Sequence, residues 1–202
     1  HPDKTLESYA EGRDPLTGAP VWGIRRAARH TETGWRITAF SAIDLAIWDL
    51  RGKAAGLPVW RLLGAKRQRL SAYASMLGYS VHPAEARAIA REFFDRGFKR
   101  QKWFFMKGPV DGAEGLKQNI ELVRALREEL GPEATLMFDG IQYVWKSDDL
   151  DYAIELAKGI LPYQPHWLEE PLRPDDLEGY TRLKGETGIV LASGEHWYTR
   201  WN

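Results

Sequence analysis

The 202-residue sequence contains no cysteine. That excludes a disulfide framework, a thiolate zinc site and a thiol nucleophile, and leaves carboxylates, imidazoles and backbone oxygens as metal donors. Net charge is also missing, because 28 Lys and Arg balance 28 Asp and Glu. Without a positive field, neither nucleic acid nor an anionic membrane is an expected partner. No stretch approaches the roughly 18 to 20 consecutive apolar residues that a membrane helix needs. The opening residues, HPDKTLESYAEGRD, are polar and acidic, unlike the basic patch and apolar run of a signal peptide. The expectation is a cytoplasmic protein acting on a small molecule. What the sequence has in abundance is aromatic side chains, with nine Trp, eight Tyr and seven Phe, which suit a large core or a ligand cleft.

The first thirty-seven residues are polar and irregular, with a turn signal in Asp14-Pro15-Leu16-Thr17-Gly18. From Thr38 the texture changes. Ala39, Ala42, Ile43, Ala46, Ile47 and Leu50 recur at three- and four-residue intervals, so the spacing predicts a helix, with Thr38 as its cap and Gly56 and Pro58 at its end. Beyond Gly64, apolar β-prone runs (70–76, 98–105, 135–138, 166–168 and 189–192) alternate with helical stretches (83–95, 113–130, 148–160 and 175–184). Strand and helix alternating about every thirty residues signal βαβ units and a parallel sheet. Either a barrel or an open doubly wound sheet satisfies that pattern. No GxGxxG or GxxxxGK[ST] sits at a strand-to-helix junction, so a nucleotide-binding reading loses its main support.

Charge occupies the strand ends instead. The second strand carries Lys102, the third ends at Asp139, the fourth at Glu169 and Glu170, and the fifth at Glu195. The C-terminal edge of a parallel sheet is where ligands bind. Three carboxylates one βα unit apart would repel one another unless a cation lay among them, and an all-oxygen site favours Mg²⁺. Glu169 and Glu170 cannot both face one side of a regular strand, and periodicity does not choose between them. The aromatic neighbours of Lys102 in KWFF are expected to lower the pKa of a partly buried ammonium.

The segments SAIDLAIWDLRGKAAGLPVWRLLG, GFKRQKWFFMKGP, LMFDG, WLEEP and SGEHWYTRW resemble the mandelate racemase branch of the enolase superfamily, most closely its acid-sugar dehydratases of the L-rhamnonate type. The resemblance implies a fold class of α/β type: a modified TIM-type β/α barrel, here partial with about five strands, preceded by the C-terminal part of an α+β capping domain. Residues 1–66 would be the remainder of the capping domain with its linking helices, and 67–202 the first part of the barrel. It further implies Mg²⁺ held by Asp139, by Glu169 as the first glutamate of WLEEP, and by Glu195, with Lys102 as a catalytic and substrate-binding residue and His196 as substrate-binding. Lys102 matches the first lysine of the branch's KxK pair, while Phe104 stands at the second. That departure disfavours a racemase or epimerase using two bases and agrees with the dehydratase type. Asp139 is followed by Gly140 and Ile141, where many relatives carry asparagine two positions on.

The chemistry so implied is removal of the α-proton of an acid sugar through a metal-stabilised enediolate, followed by loss of a β-hydroxyl to give a 2-keto-3-deoxy acid. The base is expected to be a histidine oriented by an aspartate on strands beyond Asn202. A non-catalytic metal-binding fragment is the alternative from another class. A homo-oligomer is expected, as relatives commonly assemble. A complete β/α barrel takes about 250 residues, so the sequence is expected to be part of a longer chain.

Overall fold

The computed structural model describes residues 35–140 and 149–197. They fall into two units, one ending at Leu70 and one spanning Ser71–Trp197. In the first, helix α1 (Trp35–Ala55) is followed by the single turn α2 (Val59–Leu62). Gly56 at φ 62° makes the left-handed exit from α1, and Leu57 N–H donates to Gly52 O at 3.0 Å, as the Gly56 and Pro58 signals predict. The start differs. Thr38 lies in the first turn of α1 and does not cap it, because Trp35, Arg36 and Ile37 include no helix breaker and the helix begins a turn earlier.

The second unit alternates strand and helix throughout: β1 (Ala74–Ser75), α3 (Pro83–Asp95), β2 (Arg100–Phe104), α4 (Gly112–Leu130), β3 (Thr135–Asp139), α5 (Leu150–Ile160), β4 (Trp167–Glu169), α6 (Leu177–Thr187) and β5 (Leu191–Ala192). All four pairings are parallel and the sheet order is β1-β2-β3-β4-β5. Among the described residues every crossover therefore steps the same way, with no reversal of strand order such as a doubly wound sheet requires. Right-handed crossovers then place successive helices on one side of the sheet, and α3, α4, α5 and α6 pack each on the next. This is the winding of a β/α barrel, and it settles the alternative that periodicity left open.

Side chains sort by parity along each strand. Trp103 and Phe105 of the β2 run, Leu136 and Phe138 of β3, and Leu168 of β4 join Ala86, Ala90, Leu122, Val123, Leu126, Ala153, Leu156 and Ile160 in the core between sheet and helices. Phe105 and Phe138 stack there, with ring centroids 5.3 Å apart. Asp149 accepts from the N–H groups of Asp151 and Tyr152 to cap α5, and Asp176 accepts from Gly179 N–H to cap α6, which satisfies donors the helix cannot. The first strand is shorter than its apolar run. Only Ala74 and Ser75 pair with β2, and Leu70 is exposed. Among the described residues no helix is long and apolar enough to cross a membrane.

Candidate functional site

The opposite parity of the same strands builds the site. Phe104 pairs with Asp139, and Asp139 with Glu169, so both carboxylates leave one face at the C-terminal edge of β3 and β4. Lys102, two residues before Phe104, shares that face one step lower and its four-carbon stem reaches up to them. The ammonium donates to Asp139 Oδ2 and to Glu169 Oε1, each at 2.7 Å. Trp167 Nε1–H donates to the other Glu169 oxygen at 3.0 Å, so Glu169 is held at both ends. Lys102 and Asp139 are buried.

Burial opposes the charge on Lys102, but the hydrogen bonds and negative charges of Asp139 and Glu169 outweigh it and hold the ammonium pKa above the ordinary lysine value. This corrects the expectation that the aromatic setting would lower it. The Phe104 ring does lie beside the ammonium, 5.2 Å from Nζ to the ring centroid. It favours the charged form by cation–π attraction, and the two carboxylates act in the same direction.

Glu169 and Glu170 take different partners. Glu169 faces the site. Glu170, buried and at φ 38°, leaves the strand geometry and turns its carboxylate to the segment after β5. Its Oε1 accepts from the N–H groups of Gly194 and Glu195, both at 3.1 Å, and its Oε2 is 3.4 Å from His196 Nε2. Glu195 and His196 lie in that segment with exposed side chains. Among the described residues no three His, Asp or Glu side chains gather to hold a metal ion. The pair Asp139 and Glu169 supplies the hard oxygen donors that suit a divalent ion such as Mg²⁺, and it already shares one cationic partner, Lys102. Glu195 stands outside that cluster.

Gly140 lets the strands meet at this edge. Its N–H donates to Glu169 O at 2.8 Å, and a Cβ there would fall 2.9 Å from Glu170 O and 3.0 Å from Pro171 Cα. Another tie lies at the β4 exit: Tyr180 Oη–H donates to Leu172 O at 2.9 Å, with the Ser193 side chain near enough to act on its phenol. Sequence reasoning missed both Glu170 as an acceptor for the β5 segment and Tyr180. The one available signal was that two adjacent glutamates cannot share a strand face.

A one-way-wound parallel sheet with carboxylates and a buried lysine at its C-terminal edge has the layout of a β/α barrel, whose ligands bind at that edge. Residues 85–202 match the enolase C-terminal domain-like family and residues 16–64 the N-terminal domain of mandelate racemase / muconate lactonizing enzyme; the chain belongs to this enolase-superfamily group. It is 35% identical over 204 residues to L-rhamnonate dehydratase of Saccharopolyspora erythraea, covering 98% of this chain and 48% of that protein. It is 35% identical over 194 residues to 3,6-anhydro-alpha-L-galactonate cycloisomerase of Streptomyces coelicolor, covering 96% and 50%. The crystal structure of a racemase from Streptomyces coelicolor A3(2) with bound magnesium superposes with a TM-score of 0.78 at 34% identity, covering 96% of this chain and 52% of that one. The chain thus spans about half the length of the curated relatives it matches.

Proposed function

We propose that the full protein is an Mg²⁺-dependent acid-sugar dehydratase, converting an aldonate of the L-rhamnonate kind to a 2-keto-3-deoxy acid. The observation that carries this reading is the convergence of Lys102, Asp139 and Glu169 on one face of the strand ends. Asp139 and Glu169 would hold the ion, with Glu195 as the third ligand, and the bound ion would polarise the substrate carboxylate so that the α-proton becomes acidic. Lys102 would donate hydrogen bonds to the substrate oxygens on which charge develops. In the metal-free site Asp139 and Glu169 favour its charged form, and an ammonium is a hydrogen-bond donor. His196, in the loop after β5, would bind a substrate hydroxyl or carboxylate oxygen. The base is assigned to a histidine–aspartate pair in the part of the relatives' length that this chain does not span. We further propose that the protein assembles as a homo-oligomer.

A racemase or epimerase is the second reading, supported by the racemase among the structural relatives. Phe104, buried beside Lys102, offers no second proton-transfer group on that side. The deciding experiment incubates the full protein and Mg²⁺ with a panel of hexonates and pentonates and follows 2-keto acid formation and loss of chirality at the α-carbon. A 2-keto-3-deoxy product is expected. Mg²⁺ binding without turnover of any member would sink the dehydratase reading, and α-inversion without water loss would select the racemase.

A further inference from the structure

The buried carboxylate of Glu170 serves the segment after β5. Its Oε1 accepts two successive backbone N–H groups, from Gly194 and Glu195, while its own N–H donates to Ala192 O at 3.1 Å. It therefore grips the chain on both sides of Ser193. The grip requires a departure from strand geometry, because a regular strand would send Glu170 to the helix side with Leu168. Its left-handed φ of 38° supplies that departure, a conformation that costs energy in a non-glycine residue and persists only where surrounding contacts fix it. Trp197 adds to the same loop, its N–H donating to Gly194 O at 3.0 Å and its Nε1–H approaching Pro174 O at 3.4 Å.

We infer that Glu170 is a positioning residue: its carboxylate clamps the backbone of Gly194 and Glu195 to the end of β4, and so fixes the place from which the Glu195 and His196 side chains start. The Glu195 part rests on the proposed metal reading. One glutamate of the WLEEP pair then faces the site, and the other aligns the neighbouring strand end that completes it. One acceptor oxygen receiving two successive N–H groups fixes the place of that backbone by its position, and groups that orient a metal ligand typically alter affinity by about 10- to 100-fold when removed.

Two variants of the full protein separate acceptor geometry from charge. Glu170→Gln keeps an oxygen at the same reach and loses the charge. Glu170→Asp keeps the charge, tolerates a left-handed φ better than most residues, and withdraws the oxygen by one methylene. Hydrogen exchange of the Gly194 and Glu195 amides, measured without metal, is expected to stay near wild type in Glu170→Gln and to accelerate at least about tenfold in Glu170→Asp. Calorimetric Mg²⁺ affinity is expected to follow the same order, falling about 10-fold or more only in Glu170→Asp. Unchanged exchange in Glu170→Asp, or Glu170→Gln as impaired as Glu170→Asp, overturns the clamp. If the wild type itself binds no Mg²⁺, the metal reading falls alone, and the exchange contrast still decides the clamp.

Discussion

Lys102 and Asp139 meet as a buried ion pair, Nζ to Oδ2 at 2.7 Å with each side chain only 9% exposed, and the same ammonium serves Glu169 at 2.7 Å. One cation thus balances two carboxylates in a setting poor in water. Such groups are stabilising only while complete, since removing one partner strands the other charge at a cost of about 3 to 5 kcal/mol. Lys102→Met, which keeps the stem and deletes the charge, should lower metal-free stability by about 3 kcal/mol. Added Mg²⁺ should restore more stability to this variant than it adds to the wild type. Urea unfolding with and without Mg²⁺ measures both. A loss below about 1 kcal/mol would show that the pair stands in effective contact with solvent.

Gly140 is set between β3 and the β4 exit so closely that a methyl group has no room, with Glu170 O, Pro171 Cα and Glu169 O all within 3.3 Å of a Cβ position. The obstacles are backbone atoms, which cannot swing aside as a side-chain tip can. Gly140→Ala should therefore destabilise by about 1 to 3 kcal/mol through overpacking, and should weaken Mg²⁺ binding by displacing Glu169. Thermal unfolding and calorimetry test the two effects. Wild-type behaviour in both would mean that the strand ends part without cost.

Parity and period made much of this legible. The face shared by Lys102, Asp139 and Glu169 follows from two-residue alternation once the strands are placed, and of the apolar stripe that the spacing in 113–130 marks out, Val123, Leu126 and Leu130 are buried while Leu116 and Ile120 pack half-buried against the core. The direction of the Lys102 pKa was not legible, because KWFF displays the neighbours in sequence and conceals the carboxylates supplied by β3 and β4. Nor was the part played by Glu170, whose partners lie on the segment after β5 and depend on one left-handed residue. The expected strand at 70–76 shrinks to Ala74–Ser75, since pairing to β2 limits its length and apolar character alone does not. The expected helix at 148–160 is observed as Leu150–Ile160, and position 148 lies outside the described residues.

Glu195 differs from the other two proposed ligands in being exposed and outside the Lys102 cluster. A residue so placed contributes little to folding, which separates its two possible roles cleanly. Glu195→Gln should leave stability within about 0.5 kcal/mol of wild type and reduce Mg²⁺ affinity by about tenfold or more. Asp139→Asn should impair both, because Asp139 is buried against the lysine. Unchanged calorimetric affinity in Glu195→Gln would remove Glu195 from the ligand set.

Tyr180 Oη–H donates to Leu172 O and carries a pH signature. Burial, first of all, pushes its phenol up to about 12, with the Ser193 hydrogen bond acting against the shift and the nearby Glu170 charge adding to it. Tyr152, buried beside Asn119, is likewise pushed up to about 12. The folded state therefore keeps these protons at a pH where the unfolded chain, titrating near 10, has lost them. Their stabilising contribution is complete below about pH 10 and is lost as pH rises from about 10 through about 12. Urea stability should accordingly fall across that window. Tyr180→Phe should flatten the fall, at the cost of about 1 kcal/mol at neutral pH for the lost hydrogen bond to Leu172 O, and adding Tyr152→Phe should flatten it further. Identical slopes above pH 10 in wild type and double variant would show that neither phenol is kept protonated by the fold.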